Sequence, residues 1–187
     1  MRVRDLSSDE MSVEQRTVAA EAASGKRGRV PAPLRAWLHS PELGRRAQKL
    51  GEFIRYDTSL PPHLSELAIL VTARHWTSHY EWYAHKRDAL KAGIDPAIIE
   101  AIAKQREPNF PDTKAKLVHD YAKTLLATGR VPGALHAAAL EVLGEQGVVE
   151  LVGIVGYYSL VALTLNAFEI ELPAGETPEL GDQGGWA

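Results

Sequence analysis

Two carboxylates, a hydroxyl and an imidazole stand at fixed spacing near the middle of the chain: Glu66, Ser78, Glu81 and His85, in the pattern E-x11-S-x2-E-x3-H. Glu81 and His85 are four residues apart, so on a helix they share a face. A carboxylate beside an imidazole orients the ring and its proton, the pairing that general acid–base catalysis uses. Ser78 would stand at the start of that helix, where free N–H groups and the dipole favour negative charge. A structural reading stands beside each chemical one. Ser78 followed by Glu81 fits the capping box, and Glu66 fits a first-turn carboxylate favoured by the helix dipole. For Glu81 the two readings coexist, because a carboxylate fixed by its cap is preorganised for other work.

The elements that must carry these groups are legible from the same stretch, Leu60 to Gly93. Pro61 and Pro62 suit a helix's first turn and not its interior. The block Leu67, Ala68, Ile69, Leu70, Val71 is apolar on every side, as in a buried helix. Arg74, His75 and Trp76 close it. The spacing predicts a break near Trp76–Ser78, a second helix from His79 to about Leu90, and a C-cap at Gly93. A turn there folds the second helix back along the first. Glu66 can then lie opposite Glu81 and His85, within a hydrogen bond or one bridging water.

This block, SELAILVTARHWTSHYEWYAHKRDALKAG, resembles the central motif of the carboxymuconolactone decarboxylase family, which shares its fold with the AhpD-type alkylhydroperoxidases. The resemblance extends from about Leu38 to Pro173, through SPELGRRAQKLGEFIRYDTSLPP and the late GYYSLVALTLNAFEIELP. In the peroxidase branch the two middle motif positions are cysteines; here they are Ser78 and Glu81. The resemblance implies an all-α, AhpD-like bundle, a closed homotrimer or homohexamer, and a lactone acid that loses CO2. It implies no organic or metal cofactor. His85 would carry the proton with Glu81 orienting it, Glu66 would complete a relay, and Ser78 with nearby amides would bind an oxyanion. Arg55 and Arg74 are the cations placed to hold a substrate carboxylate, and His75, Trp82, Tyr157 and Asn166 join Ser78 as candidate substrate contacts. Two carboxylates would repel an anionic substrate, so one carboxyl must be protonated or the substrate is not a lactone acid. The alternative is a non-catalytic binding or assembly protein of the same fold, in which these side chains serve caps and salt bridges.

Composition narrows the field. The chain has no cysteine, which excludes a thiol peroxidase mechanism and thiolate metal sites. Its 187 residues, 45% apolar and 24% charged, describe one ordinary globular domain. A net charge of −3 argues against a nucleic-acid groove. The longest apolar candidate, Val148 to Ala167, is interrupted by Glu150, Tyr157, Tyr158, Ser159 and Asn166, so no membrane span is expected. The N-terminus has no apolar core of a secretory signal, and a cytoplasmic location is expected.

Seven or eight helices and no strand are expected in the rest of the chain. Residues 1–33 read as a loosely specified extension holding one short helix from Ser12 to Ala23, with the basic run Lys26-Arg27-Gly28-Arg29 in a solvated loop. The core spans 34–173. Ser40-Pro41 and Asp95-Pro96 are cap-plus-proline starts. Thr113 to Ala127 is helical, Gly144 stops a short helix over Leu135–Val142, and a buried last helix runs from about Gln146 to Phe168. Residues 174–187 read as a loose tail.

Overall fold

The computed structural model describes residues 1–181, and among them every regular element is a helix. In chain order these are α1 (Val13–Ser24), α2 (Ala32–Trp37), α3 (Pro41–Tyr56), α4 (Pro62–His75), α5 (His79–Lys91), α6 (Pro96–Ala103), α7 (Thr113–Thr128) and α8 (Gly133–Ala167). Proline or a capping aspartate opens most of them. Pro41, Pro62 and Pro96 stand in first turns, and Asp95 and Asp112 accept bonds from the first amides of α6 and α7. Helix α8 is two helices in effect: Gly144, at φ 70° and ψ 173°, leaves helical geometry and bends it where the sequence places a stop.

The bundle is built round α4. Every side chain from Leu64 to Arg74 is buried, and α4 packs against α5, α7 and α8. By length and composition α8 is long and apolar enough to cross a membrane, which the interrupted pattern of its sequence does not suggest. Most of its apolar window is buried inside the bundle, the position of a core helix. Polar side chains fasten α8 to its neighbours. Trp37 Nε1 donates to Thr164 at 3.0 Å, Trp76 Nε1 donates to Ser159 at 2.9 Å, and Asn166 Nδ2 donates to the Trp76 carbonyl at 2.7 Å.

The N-terminal extension is more ordered than its sequence suggests. Ser12 and Gln15 form a capping box on α1, α1 packs on α3, and Val18 and Ala22 are fully buried in the common core. The start of the expected tail is also anchored, by buried Leu180 and an ion pair between Lys86 and Glu179. The remainder of that tail, 182–187, lies outside the described residues.

Glu150 closes the bundle between α8 and the loop before α4. Its carboxylate accepts from the Ser59 amide and hydroxyl, both at 2.6 Å, and from Gln146 Nε2 at 2.9 Å. Burial pushes this carboxyl up, but the donated bonds outweigh it and hold it below the usual carboxylate range. A carboxyl held low in the fold contributes stability above its unfolded pKa, about 4.3, and loses it as pH falls through the folded value. Glu150→Gln should therefore cost about 2 kcal/mol at neutral pH, and the difference should fade in acid. Thermal melts across pH check this; identical melts at neutral pH would contradict the clamp.

Candidate active site

The turn between α4 and α5 sets the geometry. Trp76 caps α4, and Thr77 takes the left-handed conformation at φ 47°. The Thr77 amide bonds the Arg74 carbonyl at 3.1 Å and the Ser78 amide bonds the Ala73 carbonyl at 2.8 Å. This is a Schellman closure with a β-branched residue where glycine is usual, a conformation that costs about 1–2 kcal/mol. Arg74 Nη1 donates to Thr77 Oγ1 at 2.9 Å and helps hold it.

That closure also undoes the expected capping box. A box needs the N-cap amide free to receive the carboxylate three residues on. Here the Ser78 amide is already engaged by Ala73, so Glu81 has no amide to reach back to. Ser78 Oγ makes no cap bond and is fully buried without a partner. Both Glu81 oxygens are buried and unpartnered as well. Burial pushes the Glu81 carboxyl well above the usual range, so it favours the neutral acid.

The partner of His85 is therefore Glu66. Nδ1 of the imidazole lies 2.7 Å from Glu66 Oε2 in a buried contact between α5 and α4. Nε2 lies 3.4 Å from Arg55 Nη1. Arginine can only donate, so Nε2 accepts and the proton sits on Nδ1, donated to the carboxylate. Arg55 is itself paired with Asp88. Tyr158 stands edge-on to the ring at 4.8 Å between centroids. Of the sequence-derived trio, Glu66 and His85 are hydrogen-bonded. Glu81 shares a cavity with His85 and bonds neither.

That cavity measures about 50 Å³. Glu81, His85, Tyr157 and Tyr158 line it from within, and Arg27, Arg55 and the 29–33 segment close it. The Tyr158 hydroxyl is buried without a partner, and burial pushes the phenols of both tyrosines up, keeping them protonated donors. Arg27 arrives from the basic run read as solvated loop. It is half-buried, with Nη2 donating to the Gly51 carbonyl at 3.1 Å. Its position depends on a missing side chain. A Cβ at Gly51 would fall 1.9 Å from the Tyr157 hydroxyl and 2.9 Å from Arg27 Nη2. Gly51→Ala should thus destabilise by about 1–3 kcal/mol and displace both groups. Denaturant melts test this, with Tyr157→Ala expected to recover part of the loss; a Gly51→Ala protein as stable as the parent would show the contact to be soft.

The other expected contacts lie elsewhere. Arg55 and Tyr157 line the cavity. Asn166 is exposed and bonds the end of α4. His75 stacks edge-on against Trp76 and faces a separate cavity between α4, α6 and α7. Arg74 borders that cavity and, with Trp82, a third one. Tyr80, Arg27 and Arg29 complete the wall near Glu81, where only a tertiary contact places them.

Glu66, His85 and Asp88 bring ligand-type atoms within 4.8 Å of one another. The Arg55 guanidinium already lies against His85 Nε2 and is paired with Asp88, so a cation of this protein's own occupies that focus.

The profile of the carboxymuconolactone decarboxylase family matches residues 41–117, the segment that holds Arg55, Glu66, Glu81 and His85. That match covers the central part of the chain, and the fold around it is AhpD-like. Among solved structures it is similar to the debrominase Bmp8. A Bmp8 variant in complex with 2,3,4-tribromopyrrole superposes with a TM-score of 0.73 at 12% identity, covering 93% of this chain and 92% of that one. Apo Bmp8 superposes at 0.72 and 12% identity, covering 91% of each. At that identity the likeness is one of fold. No curated protein matches the chain.

Proposed function

We propose that the protein is an acid–base enzyme of the carboxymuconolactone decarboxylase type, acting on a small lactone acid or related ring-cleavage product. The observation that supports this best is the buried, partnerless Glu81 carboxyl in one cavity with His85, beneath Arg27 and Arg55. The roles differ from those the motif suggests. Glu66 orients the imidazole, and Glu81 is free to serve as the acid. A neutral Glu81 also removes the repulsion that two carboxylates would exert on an anionic substrate.

In the decarboxylation, the bond from ring carbon to carboxylate breaks. CO2 leaves, and the electron pair passes into the lactone carbonyl as an enolate. Arg27 and Arg55 offer charge for the substrate carboxylate, and the tyrosine hydroxyls offer donors for the enolate oxygen. Glu81 then protonates carbon, and a proton from water restores Glu81, relayed through the Nε2 of His85, whose ring Glu66 holds in place. A cavity of about 50 Å³ holds a few waters and no ring. Segment 25–33, which roofs it, has to swing aside for substrate to enter. The test is CO2 release from a panel of lactone acids and ring-cleavage acids by the parent and by Glu81→Gln. Turnover in the parent and its loss in the variant are expected. No turnover of any member, or equal turnover in both, would leave the non-catalytic reading ahead.

The same reading takes the chain as a cytoplasmic homo-oligomer built on a three-fold axis. In its support, Val149, Val152, Leu160 and Leu163 form an exposed apolar stripe on α8, and Leu43, Leu50 and Phe53 form another on α3, which packs beside α8. Contiguous exposed apolar surface of this kind marks an interface. Light scattering at micromolar concentration should give a trimer or hexamer, and Val149→Asp with Leu163→Asp should yield smaller species. A monomeric parent would refute the assembly.

A further inference from the structure

A large cavity among the described residues lies away from His85. It measures about 880 Å³, a size typical of small-molecule sites. Leu90, Pro96, Ile99 and Ala103 give it apolar walls from α5 and α6. Two ion pairs stand on its border, Lys86 with Glu179 and Lys104 with Glu100, so those four charges are already matched.

Two lining groups are not matched. The Arg74 side chain is buried, 8% exposed, and has no carboxylate partner among the described residues. Its Nε is buried with no acceptor, and burial lowers its pKa with no acidic neighbour to oppose it. Trp82, 1% exposed, has an indole N–H that is likewise buried and unpaired. Both are obligate donors. A buried guanidinium without its counter-charge is expensive, and a cavity whose unmatched polar groups are all donors asks for an acceptor carrying negative charge.

We propose that this cavity is a second ligand site, which binds an amphipathic monocarboxylate. The carboxylate takes the Arg74 guanidinium, a planar two-point partner for it. A ring or branched hydrocarbon body lies against Trp82 and the α6 wall. The site is distinct from the His85 cavity: Trp82 and Glu81 are chain neighbours on α5, and only Glu81 lines that cavity while only Trp82 lines this one.

Titration calorimetry of the full chain with benzoate, and with neutral benzamide as the control, tests it. Benzoate should bind and benzamide should bind at least tenfold more weakly. Arg74→Gln should weaken benzoate at least tenfold, while His85→Gln and Glu81→Gln leave it within twofold. Because Arg74 also braces the α4–α5 turn, a second variant is needed. Leu90→Trp, at an exposed position on the rim, sets an indole in the mouth of the cavity and should weaken benzoate at least tenfold in a folded protein. No benzoate binding at millimolar concentration, equal binding of benzamide, or loss of binding in His85→Gln but not in Leu90→Trp would each overturn the proposal. These readouts need no turnover, so they stand or fall apart from the decarboxylase reading.

Discussion

Glu81→Gln should yield a protein that is more stable than the parent at about pH 8 and no more stable at about pH 4. Burial raises the Glu81 carboxyl's folded pKa, so the fold prefers the protonated form. Above the unfolded pKa of about 4.3 the unfolded chain releases this proton and the folded chain resists releasing it. Stability is therefore lost as pH rises from the unfolded value towards the folded one. Glutamine keeps the shape and cannot ionise, so it removes that loss. A rise in thermal midpoint of at least about 3 °C is expected at the higher pH, the effect of roughly 1 kcal/mol in a chain of this size. The same substitution removes the proposed acid, so turnover should fall by about a hundredfold or more. Stability gained together with activity lost is the signature of a group kept for function. A variant less stable than the parent at the higher pH would show that Glu81 is matched by a partner after all.

The second large effect concerns His85. His85→Leu removes the only hydrogen-bond partner of the Glu66 carboxylate among the described residues and one neighbour of Arg55. Stranding a buried charged group costs about 3–5 kcal/mol. Urea denaturation should read that loss as a lower midpoint at unchanged slope. His85→Gln, which can still donate towards Glu66, should retain most of the stability and lose at least about a hundredfold in turnover. Equal stability of His85→Leu and the parent would mean that the Glu66–His85 contact carries no weight in the fold.

The helices were legible because their punctuation is local. Proline in first turns, Asp95 as a cap and Gly144 as a breaker act within a few residues, and each stands where the pattern puts it. The Glu66–His85 pair was legible too, since an interrupted helix folded back on itself leaves few other partners. The capping box was not. Its pattern is present, but whether the Ser78 amide is free depends on how α4 ends, and Thr77 gives no sequence sign of taking the left-handed conformation. Arg27 was missed for a different reason. A basic run beside glycines reads as solvated, and what draws Arg27 inward is the space left by Gly51, 24 residues on. Asn166 shows the converse: a polar residue at the end of an apolar helix suggests a pocket, and here it serves a neighbouring helix end.

The roof over the His85 cavity has a consequence for proteolysis. Lys26, Arg27 and Arg29 are each a target for trypsin, and all lie in the link between α1 and α2. A protease needs an extended, detached stretch of backbone, whereas Arg27 is tied to the Gly51 carbonyl when the roof is shut. Where reclosing outpaces cleavage, the rate of nicking in this link measures the fraction of molecules with the roof open. The loop that guards the cavity thus carries its own clock: a ligand that seals the site slows the cut, and Gly51→Ala, by dislodging Arg27, quickens it.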